Sequence, residues 1–294
     1  MKLLITGASG LYGSKLTQLA LDRGFEVYPS DIQSRPDGNE FKLDVSDKTQ
    51  VDDVFQNIKP DVVIHAASLT DVDKCEFNKA LSWQVTVDGT KHIVNAARET
   101  ESFLIYISTD YVFSGEKGHY VESDSPEPVN YYGLTKLLAE EIVQTLPETD
   151  FCIARPSVIY GATPAAGKVN FALWLIHSLR RGDHIKVVTD QWNTPTLNTS
   201  LAEMTLEVAE RRVSGIYHLC GATRVSRIEF ARQIAAAFDL DKSLIGKTSS
   251  EHFNWPAKRP EDSSLDTSRA KRTLKCKPLS LTTALEQLKH ELSP

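Results

Sequence analysis

Residues 130–136 read NYYGLTK, two adjacent tyrosines followed by a lysine. A phenol beside an ammonium can do acid–base chemistry, because the positive charge favours the phenolate and lowers a pKa that is ordinarily about 10. Such a group gives and takes a proton near neutral pH. Spacing says which tyrosine would do it. The apolar residues Leu134, Leu137, Leu138, Ile142 and Val143 predict a helix over YYGLTKLLAEEIV. Residues four apart share a helix face, which pairs Tyr132 with Lys136 and turns Tyr131 elsewhere. Alone, this spacing is a common coincidence on a solvated surface. The elements around it must supply the rest of a site.

The N-terminal half supplies candidates in a telling order. KLLIT is an apolar run suited to a buried parallel strand, and GASGLYG follows it, with Gly7, Gly10 and Gly13 ahead of the helical SKLTQLALDRG. Glycines there permit a tight turn and let backbone amides approach a pyrophosphate at a helix N-terminus. A second strand, EVYPSD, ends in Asp31, at the distance where dinucleotide folds place an acid on the adenosine ribose. Asp31 favours a free 2′-hydroxyl and hence NAD(H), whereas Arg35 would accommodate the 2′-phosphate of NADP(H). The cues oppose one another, and Asp31 tips the expectation toward NAD(H).

Strands and helices keep alternating through NEFKLDVSD, KTQVDDVFQNI, DVVIHAAS, ALSWQVTVDGTKHIVNAARET and SFLIYIS. That alternation predicts an α/β chain built on a Rossmann-like, doubly wound parallel sheet. YIST ends a strand, so Thr109 falls at the carboxyl edge of the sheet, where ligands bind, close to the start of the helix carrying Tyr132. Beyond residue 155, LNTSLAEMTLEVAER and GIYHLCG would return a helix and a strand to the platform. The expected organisation is therefore a dinucleotide-binding domain over 1–155 with 197–224 returning to it. A smaller, discontinuous α+β substrate domain would take 156–196 and 225–294.

Composition narrows the function class. The chain has 294 residues, 41% hydrophobic, enough for a sizeable core. A net charge of −6 without a lysine or arginine run leaves no footprint for nucleic acid or an anionic membrane. MKLLITGASG runs straight into glycines, and no stretch approaches the roughly 20 apolar residues of a membrane span, so a cytoplasmic location is expected. Cys75, Cys152, Cys220 and Cys276 are dispersed and form no metal-binding or redox pattern; no metal is expected.

On TGASGLYG (6–13), HAASLTDVDKCE (65–76), YISTDYVFSG (106–115), YVESDSPEPVNYYGLTKLLAEE (120–141), NFALWLI (170–176), DQWNTPT (190–196) and KRPEDSSLD (258–266), the chain resembles the extended short-chain dehydrogenase/reductases. More narrowly it is similar to the dTDP-4-dehydrorhamnose reductases, along essentially its whole length. The resemblance implies a catalytic trio. Tyr132 would protonate a sugar C4 ketone as hydride arrives, Lys136 would tune that phenol and hold the nicotinamide ribose, and Thr109 would hydrogen-bond the same oxygen. It implies a cofactor bed of Gly7, Ser9, Gly10, Leu11, Tyr12 and Gly13, with Asp31 or Arg35 at the ribose, Asp44 and Val45 at the adenine, and Ala66 and Ala67 along the strand end. Some relatives are metal-dependent dimers, which makes a homodimer the assembly to test. Thr86, Pro156 and Val158 depart from the reductase pattern, which commonly has Asn, Thr and Trp there.

In the second half, after the small-residue loop ATPAAGK, Asn170 and Phe171 open an amphipathic helix that could wall a substrate cleft. Trp192 could stack on a base, and Arg259 could clamp a diphosphate or form a structural salt bridge. The expected partner is thus a nucleotide-linked sugar. Pro156 raises an epimerase or dehydratase as an alternative, although STDYVF lacks the acidic pair that dehydratases place after the threonine. The branch also resembles the non-catalytic regulatory subunit of methionine adenosyltransferase, which is the reading from a different class.

Overall fold

The computed structural model describes residues 1–33, 41–163 and 169–293. Arg35 and most of ATPAAGK lie outside the described residues. The first half runs β1 (Lys2–Thr6), α1 (Leu11–Asp22), β2 (Glu26–Asp31), β3 (Phe41–Lys42), α2 (Lys48–Ile58), β4 (Val62–His65), α3 (Val72–Phe77), α4 (Lys79–Trp83), α5 (Gly89–Glu99), β5 (Phe103–Ile107), α6 (Tyr131–Val143) and β6 (Phe151–Ala154). The second half runs β7 (Ile159–Tyr160), α7 (Phe171–Arg180), β8 (Ile185–Val188), β9 (Trp192–Asn193), β10 (Thr196–Leu197), α8 (Asn198–Arg211), β11 (Gly215–Tyr217), β12 (Val225–Ser226), α9 (Arg227–Ala237), β13 (Ile245–Thr248), α10 (Ser268–Thr273) and α11 (Leu281–Glu291).

Seven of these strands form one parallel sheet in the order β11-β6-β5-β4-β1-β2-β3. Its strands are apolar on both faces because both faces are covered. Leu3, Ile5, Val62, Ile64, Ile105 and Ala154 pack under α1 and α8. Their alternate neighbours Leu4, Val63, Leu104 and Ile153 pack under α2, α5 and α6. The order reverses direction between β1 and β4, whose last residues Thr6 and His65 stand opposite each other. In such sheets the ligand crevice opens there, beyond the carboxyl ends of the strands.

Over the crevice stands a second hydrophobic cluster. It joins Tyr160, Leu175, Ile176 and Val187 to Phe230, Ile234, Leu285 and Leu288. Three two-stranded ladders brace this part, β7 with β10, β9 with β12 and β8 with β13.

Between β8 and β9 the chain turns at Asp190, which accepts hydrogen bonds from the Ser249 and Ser250 hydroxyls. One local feature differs from the expected pattern. The long helix expected around residues 80–100 contains a π-helical turn at Gln84–Asp88. Thr86 lies inside it with its hydroxyl buried and without a partner among the described residues. Such turns often mark functional sites.

Candidate active site

A cavity of about 490 Å³ runs along the carboxyl edge of the sheet, and its described lining draws on both halves of the chain. At one end lie Gly7, Gly10, Leu11, Tyr12 and Gly13. Gly7 has φ +74, a conformation L side chains rarely adopt, and a Cβ there would stand 2.8 Å from the Ala67 amide nitrogen. A Cβ on Gly13 would come within 2.1 Å of the Gly7 carbonyl oxygen. Backbone packing alone therefore demands glycine at both positions. Gly10 is the N-cap of α1 and offers no side-chain cap, so no capping oxygen serves the first amides of that helix. That arrangement fits a dinucleotide pyrophosphate.

Around this end the expected cofactor residues are placed as follows. The Asp31 carboxylate accepts hydrogen bonds from the Ser9 amide at 3.1 Å and the Gln33 amide at 3.4 Å, tying β2 to the glycine turn. Ala66 lines the cavity. The Ala67 amide donates to the Thr6 hydroxyl at 3.3 Å. Asp44 and Val45 are not in the cavity lining. Asp44 accepts from the amide and hydroxyl of Ser46, and Val45 packs under α5 at Gly89. Beneath the floor, His65 bridges the Thr6 and Thr90 hydroxyls, and burial pulls its pKa down to about 3. It stays neutral and structural.

Thr109, Tyr132 and Lys136 all line the middle of the cavity. Thr109 lies two residues beyond β5 and caps the short turn that follows: its hydroxyl accepts from the Tyr111 amide at 3.2 Å and donates to the Asp110 carboxylate at 3.1 Å. Asn130 caps α6 by accepting from the Gly133 amide at 2.8 Å, and its own amide donates to the Lys258 carbonyl at 2.8 Å. A Cβ on Gly133 would come within 2.2 Å of the Tyr111 carbonyl oxygen, so the helix lies hard against that turn. This contact brings the Tyr111 and Tyr132 rings edge to face at 5.9 Å. Tyr131 points away from the cavity and lies under the Lys79 ammonium.

The electrostatics differ from those the spacing suggested. Burial raises the Tyr132 phenol pKa well above its ordinary value, with hydrogen bonding by Thr109 opposing the rise. The Lys136 ammonium donates to the Ile107 carbonyl at 2.6 Å and sits 4.2 Å over the Tyr106 ring. Burial pulls its pKa down to about 7. Tyr132 is thus held protonated, and Lys136 is half-charged near neutral pH.

The lining also includes Tyr111, Pro156, Val158, Asn170, Phe171 and Arg227. The Asn170 side chain caps α7, accepting from the Leu173 amide at 3.2 Å and donating to the Gly161 carbonyl at 2.9 Å. Phe171 presents its ring to Arg227. Neither Trp192 nor Arg259 belongs to the lining. Trp192 stacks with the Arg224 guanidinium at 5.4 Å. Arg259 makes a two-pronged ion pair with Asp73, both contacts at 2.8 Å, and donates to the Ala257 carbonyl. Of the two roles open to Arg259, this geometry matches the structural salt bridge.

Asp110, Tyr111 and Arg227 are among the lining residues that were not singled out from sequence. Asp110 is buried beneath Thr109 and accepts from the hydroxyls of Ser157 and Ser263 as well, with burial raising its pKa. Its neighbour Tyr111 packs against Tyr132. Both sit in STDYVF, where their place beside Thr109 was the available signal. Arg227 opens a helix that reads as core, and no local pattern marks it. Behind the site, Arg155 and Glu140 form a buried pair with contacts of 2.9 and 2.6 Å, and the Ser108 hydroxyl donates to the same carboxylate.

The family model described as RmlD substrate binding domain matches residues 1–293. The chain is 32% identical to a probable low-salt glycan biosynthesis reductase of Haloferax volcanii, covering 100% of this chain and 99% of that protein. It is 30% identical to a dTDP-4-dehydrorhamnose reductase of Aggregatibacter actinomycetemcomitans, over 98% of each. Among solved structures, the dTDP-4-dehydrorhamnose reductase of Bacillus anthracis in complex with NADP superposes with a TM-score of 0.89 at 28% identity, covering 99% of both chains.

Proposed function

On the premise that the chain belongs to the RmlD substrate binding domain family, that of the dTDP-4-dehydrorhamnose reductases, we propose that it is an NADPH-dependent oxidoreductase acting on dTDP-4-dehydro-6-deoxy-L-mannose and forming dTDP-L-rhamnose. The observation that carries this reading is the convergence of Thr109, Tyr132 and Lys136 with the glycine turn on one cavity.

When bound, the cofactor supplies a hydride to the C4 carbon, and the chain's own residues do the rest. The turn at Gly7, Gly10 and Gly13 and the uncapped start of α1 hold the pyrophosphate. Tyr132 delivers a proton to the ketone oxygen, and its raised pKa keeps that proton in place until charge develops on the oxygen. Thr109 would redirect its one hydroxyl proton from the Asp110 carboxylate to the same oxygen, with the Tyr111 amide still donating to its Oγ1. Lys136, one helical turn from Tyr132 and in the same cavity lining, would hold the nicotinamide ribose. Hydride and proton together turn the ketone into the alcohol. The Bacillus anthracis relative, solved with NADP, moves the cofactor preference to NADPH from the NAD(H) that Asp31 favours.

The chain reads as two lobes, with 1–155 and 197–224 holding the cofactor and 156–196 with 225–294 holding the nucleotide sugar. The hydrophobic clusters support that division in the main, with Ile159, Leu265, Ala270, Leu274 and Cys276 packing on first-lobe residues and Leu197 on the second-lobe cluster. Four free thiols, and no described helix long and apolar enough to cross a membrane, accord with a cytoplasmic enzyme. A homodimer is the assembly to examine by light scattering.

The test is oxidation of NADPH in the presence of dTDP-4-dehydro-6-deoxy-L-mannose by the wild type, Tyr132→Phe and Tyr131→Phe. Loss of the proton donor in Tyr132→Phe lowers kcat by about 10²–10⁴-fold, and Tyr131→Phe stays near wild type. Equal effects of the two substitutions would refute the assignment.

A further inference from the structure

We infer that Arg227 is the residue that receives the substrate's diphosphate. This rests on the nucleotide-sugar reading above and adds to it a binding role for a side chain that nothing local in the sequence marks.

Arg227 opens α9 directly after Ser226, which forms a capping box with Glu229, so its backbone is fixed from both sides. Its amide donates to the Gln191 carbonyl at 2.8 Å. The guanidinium stands over the Phe171 ring, its Cζ 4.5 Å from the centroid, and lines the cavity. Its Nη1 is fully enclosed and has no hydrogen-bond partner among the described residues. A guanidinium carries five N–H donors, and leaving one buried without an acceptor costs free energy that an anionic ligand would restore.

The neighbouring groups are already committed. Arg259 is spent on Asp73 and the Ala257 carbonyl. Arg224 is spent on Asp262. The Asp110 carboxylate, the closest acid on this side, accepts from Thr109, Ser157 and Ser263. Arg227 is thus the guanidinium that the described cavity wall holds in reserve.

Its position matches the chemistry. Arg227 and Tyr111 are near enough to influence each other's charge, and Tyr111 abuts Tyr132. In a pyranose, C4 and the anomeric carbon lie across the ring. A sugar with its ketone at Tyr132 therefore carries its diphosphate across the ring, toward another part of the same lining, where Arg227 is the guanidinium among the described residues that could receive it. A planar fork suits phosphate oxygens in bidentate fashion, and the Phe171 face keeps it from rotating.

The test is calorimetric titration of the full chain, saturated with NADPH, with dTDP and with thymidine. It compares the wild type, Arg227→Gln and Arg227→Lys. Arg227→Gln weakens dTDP binding by roughly 10- to 100-fold while thymidine and NADPH bind as in the wild type. Arg227→Lys, which keeps the charge but not the fork, falls between the two. Unchanged dTDP affinity in Arg227→Gln, or an equal loss for thymidine, overturns the inference. Should Arg227→Gln fail to fold, Arg227→Lys carries the test by the same comparison: a loss confined to dTDP supports the role, and no loss overturns it. Parallel titrations with UDP and GDP separate this inference from the substrate reading. If the wild type prefers another base, the dTDP assignment fails, yet the loss confined to the diphosphate in Arg227→Gln still stands or falls on its own.

Discussion

Replacing Lys136 by Met should abolish turnover and stabilise the fold, in a way that depends on pH. The lysine is buried and its pKa falls from 10.5 to about 7. At about 1.4 kcal/mol per tenfold change, folding with the side chain charged costs about 5 kcal/mol. Methionine removes that cost but leaves the Ile107 carbonyl without its donor, a loss of about 1–3 kcal/mol. The net gain at pH 6 is about 2–4 kcal/mol. The sign follows from proton binding. Below pH 7 the lysine is charged in both states and the penalty is full. Between pH 7 and 10.5 the unfolded chain binds more protons, so wild-type stability rises with pH. Above 10.5 both states are neutral and the penalty is gone. By pH 9 the advantage of the methionine variant should shrink to about zero. Urea unfolding of both proteins from pH 6 to pH 9 reads this difference, because every other titrating group is shared. A variant less stable than the wild type at pH 6, or a gap that does not change with pH, would refute the reasoning.

Glu140→Gln leaves the Arg155 guanidinium buried beside a neutral amide and should cost about 3–5 kcal/mol in urea unfolding; adding Arg155→Met should recover a good part of it, and an additive double mutant would show that the pair is not coupled. Gly13→Ala puts a methyl against the Gly7 carbonyl and should weaken NADPH binding by about tenfold or more, whereas Gly246→Ala, whose Cβ has 3.4 Å of room, should leave it unchanged; fluorescence titration with NADPH decides. Asp31→Ala should weaken NADH more than NADPH, since the carboxylate that the Ser9 amide holds is the group expected at a free 2′-hydroxyl; equal losses in initial-rate KM values would remove Asp31 from cofactor choice.

Local pattern made much of the architecture legible. Leu3, Leu4 and Ile5 announce a strand buried on both faces, and the glycines after them announce a turn whose tolerance for side chains is nil at Gly7 and Gly13. EVYPSD became β2 residue for residue. The spacing paired Tyr132 with Lys136, and both line the cavity, because a helix repeats every few residues whatever surrounds it. Thr86 was visible as an unusual residue, but the π turn at Gln84–Asp88 that buries it, packed against α6, was not.

What the sequence by itself determined is therefore the set of elements, their order, and the kinds of chemical group available at the sheet's carboxyl edge. Only the tertiary structure decided how each charge is used. Lys136 meets the Ile107 carbonyl 29 residues away, Arg259 meets Asp73 across a separation of 186, and the Arg227 Nη1 has no hydrogen-bond partner among the described residues. Periodicity is a property of neighbouring residues and survives in a one-dimensional reading. Desolvation and partner choice are properties of the packed interior, where a group's energy depends on residues that are close only in space.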